Sequence, residues 1–131
     1  PELSGEDLLR EVERYWAAPT SNDASPAPHS TGAATDLSIR FIGGELLWMG
    51  SIFDDVTEIA HRDHFEVASS GMRFSDEEAR ANRRLLHWVM SEEGFTGHPD
   101  EWWHFSYGDQ LWAALSGADA AQYGLASLPS P

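Results

Sequence analysis

Two short segments about seventy residues apart carry residue types suited to metal chemistry: Pro28-His29-Ser30-Thr31-Gly32-Ala33-Ala34-Thr35-Asp36 and Glu101-Trp102-Trp103-His104-Phe105. Together they offer two imidazoles, a carboxylate ligand and a spare glutamate. A catalytic zinc site uses three protein ligands, leaves one position for water and keeps a base nearby for the water's proton. His29, Asp36 and His104 are therefore candidate ligands for one Zn2+ per site, with Glu101 the candidate general base. Two neutral imidazoles and one carboxylate leave the ion net positive, and zinc in such surroundings lowers the pKa of bound water to about 7.

The spacing constrains the elements that could present these groups. Residues three apart on a regular strand point to opposite faces, so Glu101 and His104 converge only if the strand begins after Glu101 and that residue sits at an irregular turn following Pro99-Asp100. Seven extended steps would hold His29 and Asp36 about 23 Å apart. Gly32 is the residue that lets the backbone bend between them.

Around these segments, Ser4-Gly5-Glu6-Asp7 reads as a helix N-cap with an acid three residues on, and Leu8, Leu9, Val12, Tyr15 and Trp16 follow at helical spacing, which predicts a helix over 5–17. The Pro-, Ser- and Ala-rich stretch 19–28 reads as a loop delivering His29. Residues 36–42 alternate apolar and polar side chains and run into Gly43-Gly44, a two-glycine hairpin signal and the clearest β element. Residues 50–74 read mostly as loop. Ser75-Asp76-Glu77-Glu78 forms a second capping pattern, with Ala79, Leu85, Leu86, Val89 and Met90 as a helical stripe up to Gly94, predicting a helix over 76–93. The aromatic run 101–107 suits a strand, on which Trp102 and Trp103 would alternate, one in the core and one walling the pocket. The fold expected is α+β, a small antiparallel sheet carrying the zinc site with helices packed on one face. At 131 residues the chain fits a single domain, with 113–131 a partly disordered tail.

Composition narrows the partners. The formal charge is −14 and all eight basic residues are arginine, so phosphate backbones and anionic lipid surfaces would be repelled; neither nucleic acid nor membrane is an expected partner. A cationic or zwitterionic small molecule suits this field better. With no cysteine, any metal must be held by His, Asp or Glu. The start shows no signal-peptide pattern and no apolar run is long enough to span a bilayer; location is not legible from this terminus, and cytoplasmic is the working expectation. It opens on Pro1-Glu2-Leu3 without an initiating Met, as a processed or fragmentary product would.

The His29–Asp36 segment resembles the His-x-x-Gly-x-x-x-Asp motif of the zinc D-Ala-D-Ala peptidases, and Glu101-Trp102-Trp103-His104 looks like the second motif of their VanX-type dipeptidase branch. Met49-Gly50-Ser51-Ile52-Phe53-Asp54, Asn82-Arg83-Arg84-Leu85 and Glu93-Gly94-Phe95 resemble that branch in the same order, so most of residues 27–112 is covered. The resemblance implies zinc ligation by His29, Asp36 and His104, a general-base role for Glu101, and hydrolysis of the dipeptide D-Ala-D-Ala to two D-alanines. It also implies that Asp36 and Asp54 lie near the substrate's ammonium, and Trp103 is a candidate substrate contact. Asp54 reads equally well as part of a capped turn.

Two departures stand out. Ala27 occupies a position where the family usually has Ser, and nothing matches an upstream Asp-x-Tyr-Arg-type segment whose arginine would stabilise the oxyanion. The chain thus reads as a C-terminal fragment, with a separate N-terminal fragment of the same enzyme as a conceivable second chain. Two other functions stay open: a D,D-carboxypeptidase acting on longer cell-wall peptides, and a non-catalytic zinc-containing remnant that binds muropeptides or a partner. His61 and His64 read as surface groups or as groups standing behind the ligands, His87 and His98 as solvent-facing or structural, and Arg83-Arg84 as partners for helix acids.

Overall fold

The computed structural model describes residues 4–13, 25–67 and 71–127. Among the described residues, four helices and a three-stranded antiparallel sheet make up the regular structure, an α+β arrangement. The helices are α1 (Gly5–Glu13), α2 (His64–Val67), α3 (Phe74–Glu92) and α4 (Gln110–Ser116); the strands are β1 (Ala34–Asp36), β2 (Thr96–Gly97) and β3 (His104–Ser106). Two single 3₁₀ turns, Pro28–Thr31 and Glu58–Ala60, shape the intervening loops. Among the described residues no helix is long and apolar enough to cross a membrane.

β3 is the central strand, pairing with β1 on one side and β2 on the other. Its register sets Asp36 opposite His104, Thr35 opposite Phe105 and Ala34 opposite Ser106. The strand predicted over 101–107 is thus confined to three residues, because Trp102 and Trp103 form a turn: the backbone N–H of His104 reaches back to the carbonyl of Glu101 at 3.3 Å. Both tryptophans are buried, packed edge-to-face with ring centres 5.3 Å apart, so neither is given up to solvent.

The glycine hairpin forms, yet in reduced form. Arg40 bridges Leu46, with Phe41 N–H donating to Glu45 and Leu47 N–H to Ile39, and Gly44 takes the left-handed φ of +99°. The ladder stops there, since Leu37, Ile39 and Leu47 turn to the core while Phe41, Ile42 and Leu46 are exposed.

α3 is the backbone of the packing. It starts two residues earlier than its Ser75 pattern suggests: Arg73 is the N-cap, and the Asp76 carboxylate accepts from the Arg73 backbone N–H at 3.0 Å. Gly94, at φ +83°, ends the helix, and Phe95 N–H closes on the carbonyl of Met90. Its buried stripe is Ala79, Arg83 and Leu86, with Met90 partly buried, a 4-3-4 spacing along one face. Leu85 and Val89, expected in that stripe, point outward, and an arginine takes the inner position instead. The core gathers Met49, Ala60, Leu86, Trp102, Trp103 and Phe105, each large side chain contributing roughly 1.5–3 kcal/mol by burial.

At the amino end, Ser4 Oγ accepts from the Asp7 backbone N–H at 3.2 Å and caps α1; residues 14–17 of the predicted helix lie outside the described residues. At the other end, residues 113–127 make several contacts, and 128–131 of the expected tail lie outside the described residues. Ala113 is buried in α4, Gln122 and Tyr123 donate to the carbonyl of Gly108, and Ala126 donates to that of Ser30.

Candidate metal centre

A short turn solves the spacing between His29 and Asp36. Pro28 opens the 3₁₀ turn, Thr31 Oγ1 donates to the Pro28 carbonyl at 2.6 Å and accepts from Ala33 N–H at 3.1 Å, and Gly32 reverses the chain at φ +71°. The backbone N–H of Gly32 donates to the carbonyl of His29 at 3.2 Å. No atom lies within 4 Å of a Cβ built on Gly32, so glycine is required there for its left-handed backbone and not for space. The turn folds His29 onto Asp36, whose Oδ2 is 3.4 Å from His29 Nε2.

Sheet pairing brings the third donor. With His104 opposite Asp36, its Nδ1 lies 3.1 Å from Asp36 Oδ1, and the two imidazole rings meet edge-to-face at 4.7 Å. One ligand atom from each of His29, Asp36 and His104 falls within 4.8 Å of the others. Bonds of about 2.0–2.2 Å in a tetrahedral zinc site separate ligand atoms by about 3.4 Å. His29 and His104 approach different oxygens of Asp36, at 3.4 and 3.1 Å, and a set of two imidazoles and a carboxylate is chemically suited to zinc. The residues present fit a metal ion.

His104 is buried, and burial holds its imidazole down to about 4 despite the opposing pull of the Asp36 carboxylate, so it is neutral and able to ligate at physiological pH. His29 and Asp36 are more open to solvent, which leaves access from their side.

Glu101 stands in the turn before β3, its Oε2 3.6 Å from His104 Nδ1. Burial raises its carboxyl above the ordinary value, the nearby Asp36 and Asp54 carboxylates push it further up, and His98 and His29 oppose them. Beside it opens a cavity of about 300 Å³ lined by Asp54, Asp55, Val56, Thr57, His61, Asp100, Glu101 and Trp103. Asp54 has φ +58°, a left-handed value uncommon for a residue with a side chain, while Asp55 accepts from the Thr57 N–H and hydroxyl. Phe53 packs against both Trp102 and Trp103 and fixes the floor beneath this loop.

A family profile described as D-ala-D-ala dipeptidase, peptidase M15, matches residues 6–121. The chain belongs to this family. It is 38% identical over 111 residues to a D-alanyl-D-alanine dipeptidase of Synechocystis, 40% over 77 residues to one of Escherichia coli and 38% over 109 residues to one of Enterococcus faecium. Those alignments take in 82%, 59% and 82% of this chain and 45%, 36% and 50% of the relatives. The chain spans half or less of the length of these curated D-alanyl-D-alanine dipeptidases.

Within this member of the dipeptidase family, the structure brings together His29, Asp36, His104 and Glu101, and it sets Asp54 and Trp103 in the adjoining cavity. Three further residues escape a linear reading. His98 packs 5.5 Å from the His104 ring, and its Nδ1 accepts from the Asp100 N–H. His61 lines the cavity. Arg83 is buried and donates to the carbonyls of Met49, Ile59 and His61 at 2.6, 2.8 and 2.8 Å while stacking on Phe65 and Trp102. Burial lowers its guanidinium to about 10. Arg84 alone of that pair meets a helix acid, bonding both carboxylate oxygens of Glu66 on α2. No single residue type announces Arg83's role; the signal was an arginine in phase with Ala79 and Leu86.

Proposed function

We propose that this chain carries the metal and general-base half of a zinc-dependent dipeptidase that hydrolyses D-Ala-D-Ala to two D-alanines. The observation that carries this is the convergence of His29, Asp36 and His104 within 4.8 Å beside the Glu101 carboxylate. His29 Nε2, one Asp36 oxygen and His104 Nδ1 would hold the single zinc ion, with Asp36 supplying the one negative charge. When bound there, zinc would polarise the scissile carbonyl and acidify water.

The residues of this chain account for the remaining steps. Glu101 takes the proton of the attacking water at a carboxylate oxygen and delivers it to the nitrogen of the leaving D-alanine. Its raised proton affinity suits both halves of that transfer. Asp54, with Asp55 and Asp100 on the same cavity, faces the substrate's ammonium with negative charge, and Trp103 gives the apolar wall against which a methyl side chain rests. At about 300 Å³ the cavity sits at the small end of ligand sites, which favours a dipeptide over a longer peptide. None of Arg62, Arg83 and Arg84 is free for the oxyanion-stabilising role that the resemblance gives to an arginine. They are already engaged, with the carbonyl of Gly97, with three carbonyls and with Glu66.

The test is D-alanine release from D-Ala-D-Ala by the purified protein, with and without chelator, compared with Glu101→Ala. Chelator should abolish turnover, and Glu101→Ala should keep its zinc while losing on the order of 10² to 10⁴ in rate. Activity that survives chelation would refute the zinc mechanism. Equal rates on a pentapeptide would shift the reading to a D,D-carboxypeptidase, and zinc and ligand binding without turnover would shift it to a binding module.

A further inference from the structure

His104 shows two different faces. Its Nδ1 looks toward Asp36 and Glu101, and its Nε2 lies 3.3 Å from Ser106 Oγ. Ser106 is two residues further along β3 and so projects from the same face of the strand. It is fully buried, which leaves its hydroxyl no water to turn to.

We infer that Ser106 is a positioning residue for His104: the Ser106 hydroxyl accepts the Nε2 proton, which leaves Nδ1 free to hold the metal. An imidazole that gives one nitrogen to a metal keeps its proton on the other, and the group receiving that proton fixes both tautomer and ring orientation. Ser106 meets that requirement by position, and the chain places it by register, since Ala34 of β1 and Thr96 of β2 both pair with it and hold β3 from two sides. This inference rests on the metal-centre reading above.

Its test reads zinc affinity directly, by competition with a chromophoric chelator, in the full chain and in Ser106→Ala. Ser106→Ala should bind zinc 10- to 100-fold more weakly, with the melting temperature of its metal-free form unchanged. Should Ser106→Ala fail to fold, 15N resonances of His104 in the zinc-loaded wild type decide the matter: the proton belongs on Nε2. Wild-type affinity in the folded variant, or a proton on Nδ1, would overturn the inference while leaving the zinc mechanism standing. A wild-type chain that takes up no zinc would remove both.

Discussion

His29, Asp36 and His104 are set by backbone: a 3₁₀ turn, a left-handed glycine and three rungs of an antiparallel ladder. The cavity wall of Asp54–Thr57 has no ladder. It hangs between Met49 at one end and Ile59 and His61 at the other, and all three carbonyls are gathered by the single guanidinium of Arg83 from α3. The first arrangement distributes the burden over many weak bonds between neighbours in register. The second concentrates it in one side chain, whose fork of donors suits three acceptors at once in a way lysine cannot imitate. Side chains that must converge on one point tolerate little misplacement, and a cavity wall tolerates more, so the two arrangements answer different demands.

Breaking the second wall should have the largest effect. Arg83→Met leaves three carbonyls without their donor and should cost about 3 kcal/mol or more, read as a drop of roughly 10 °C in melting temperature. A loss below about 1 kcal/mol would mean that the loop finds other donors. Arg83→Lys should recover a minority of that loss.

A pH titration of the metal-free protein sharpens the first wall. The folded-state pKa of His104 is depressed to about 4, below its usual 6.5, so between those values the unfolded chain binds a proton that the folded one refuses. Its contribution is therefore complete above about pH 6.5 and is lost as pH falls toward 4. Glu101 has the opposite sign: its raised pKa favours the folded state at low pH and withdraws that support as pH rises through the folded value. Denaturant melts in chelator across pH 4–7 should show stability falling with acid, with a shallower fall at the acid end where Glu101 compensates. Replacing His104 with Gln should flatten the profile; an unchanged slope would show that other groups carry it.

Smaller effects belong to the turn and the hairpin. Gly32→Ala forces a side chain into φ +71° and should cost about 1–2 kcal/mol with weaker zinc binding, because His29 loses its aim. Ile42→Ser at the fully exposed hairpin tip should change stability by less than about 0.5 kcal/mol and leave zinc affinity untouched. A measurable loss at Ile42 would show that the tip packs on something.

What could be read in the sequence follows the same division. The His29 turn, the irregular position of Glu101 and helix α3 were legible because each depends on residues close in the chain: a proline and a glycine for the turn, a proline before the glutamate, a capping acid and a periodic stripe for the helix. Where that helix begins was misread, since Arg73 offers no capping oxygen and only the position of Asp76 reveals it. Strand lengths were overestimated because alternation in 36–42 marks which side chains turn inward but not whether a partner strand lies alongside. His98 beside His104, His61 in the cavity and Arg83 under its loop depend on contacts across tens of residues, and composition carries no trace of them.

Arg83 also sets how the cavity wall can move. Because one guanidinium holds carbonyls on both flanks of residues 50–58, neither flank can swing away while the other keeps its bond geometry, and Gly50 is pinned where any Cβ would strike the Phe65 ring. Fluctuations of this wall should therefore be coupled: amide protons across the segment are expected to exchange with solvent through one shared opening event.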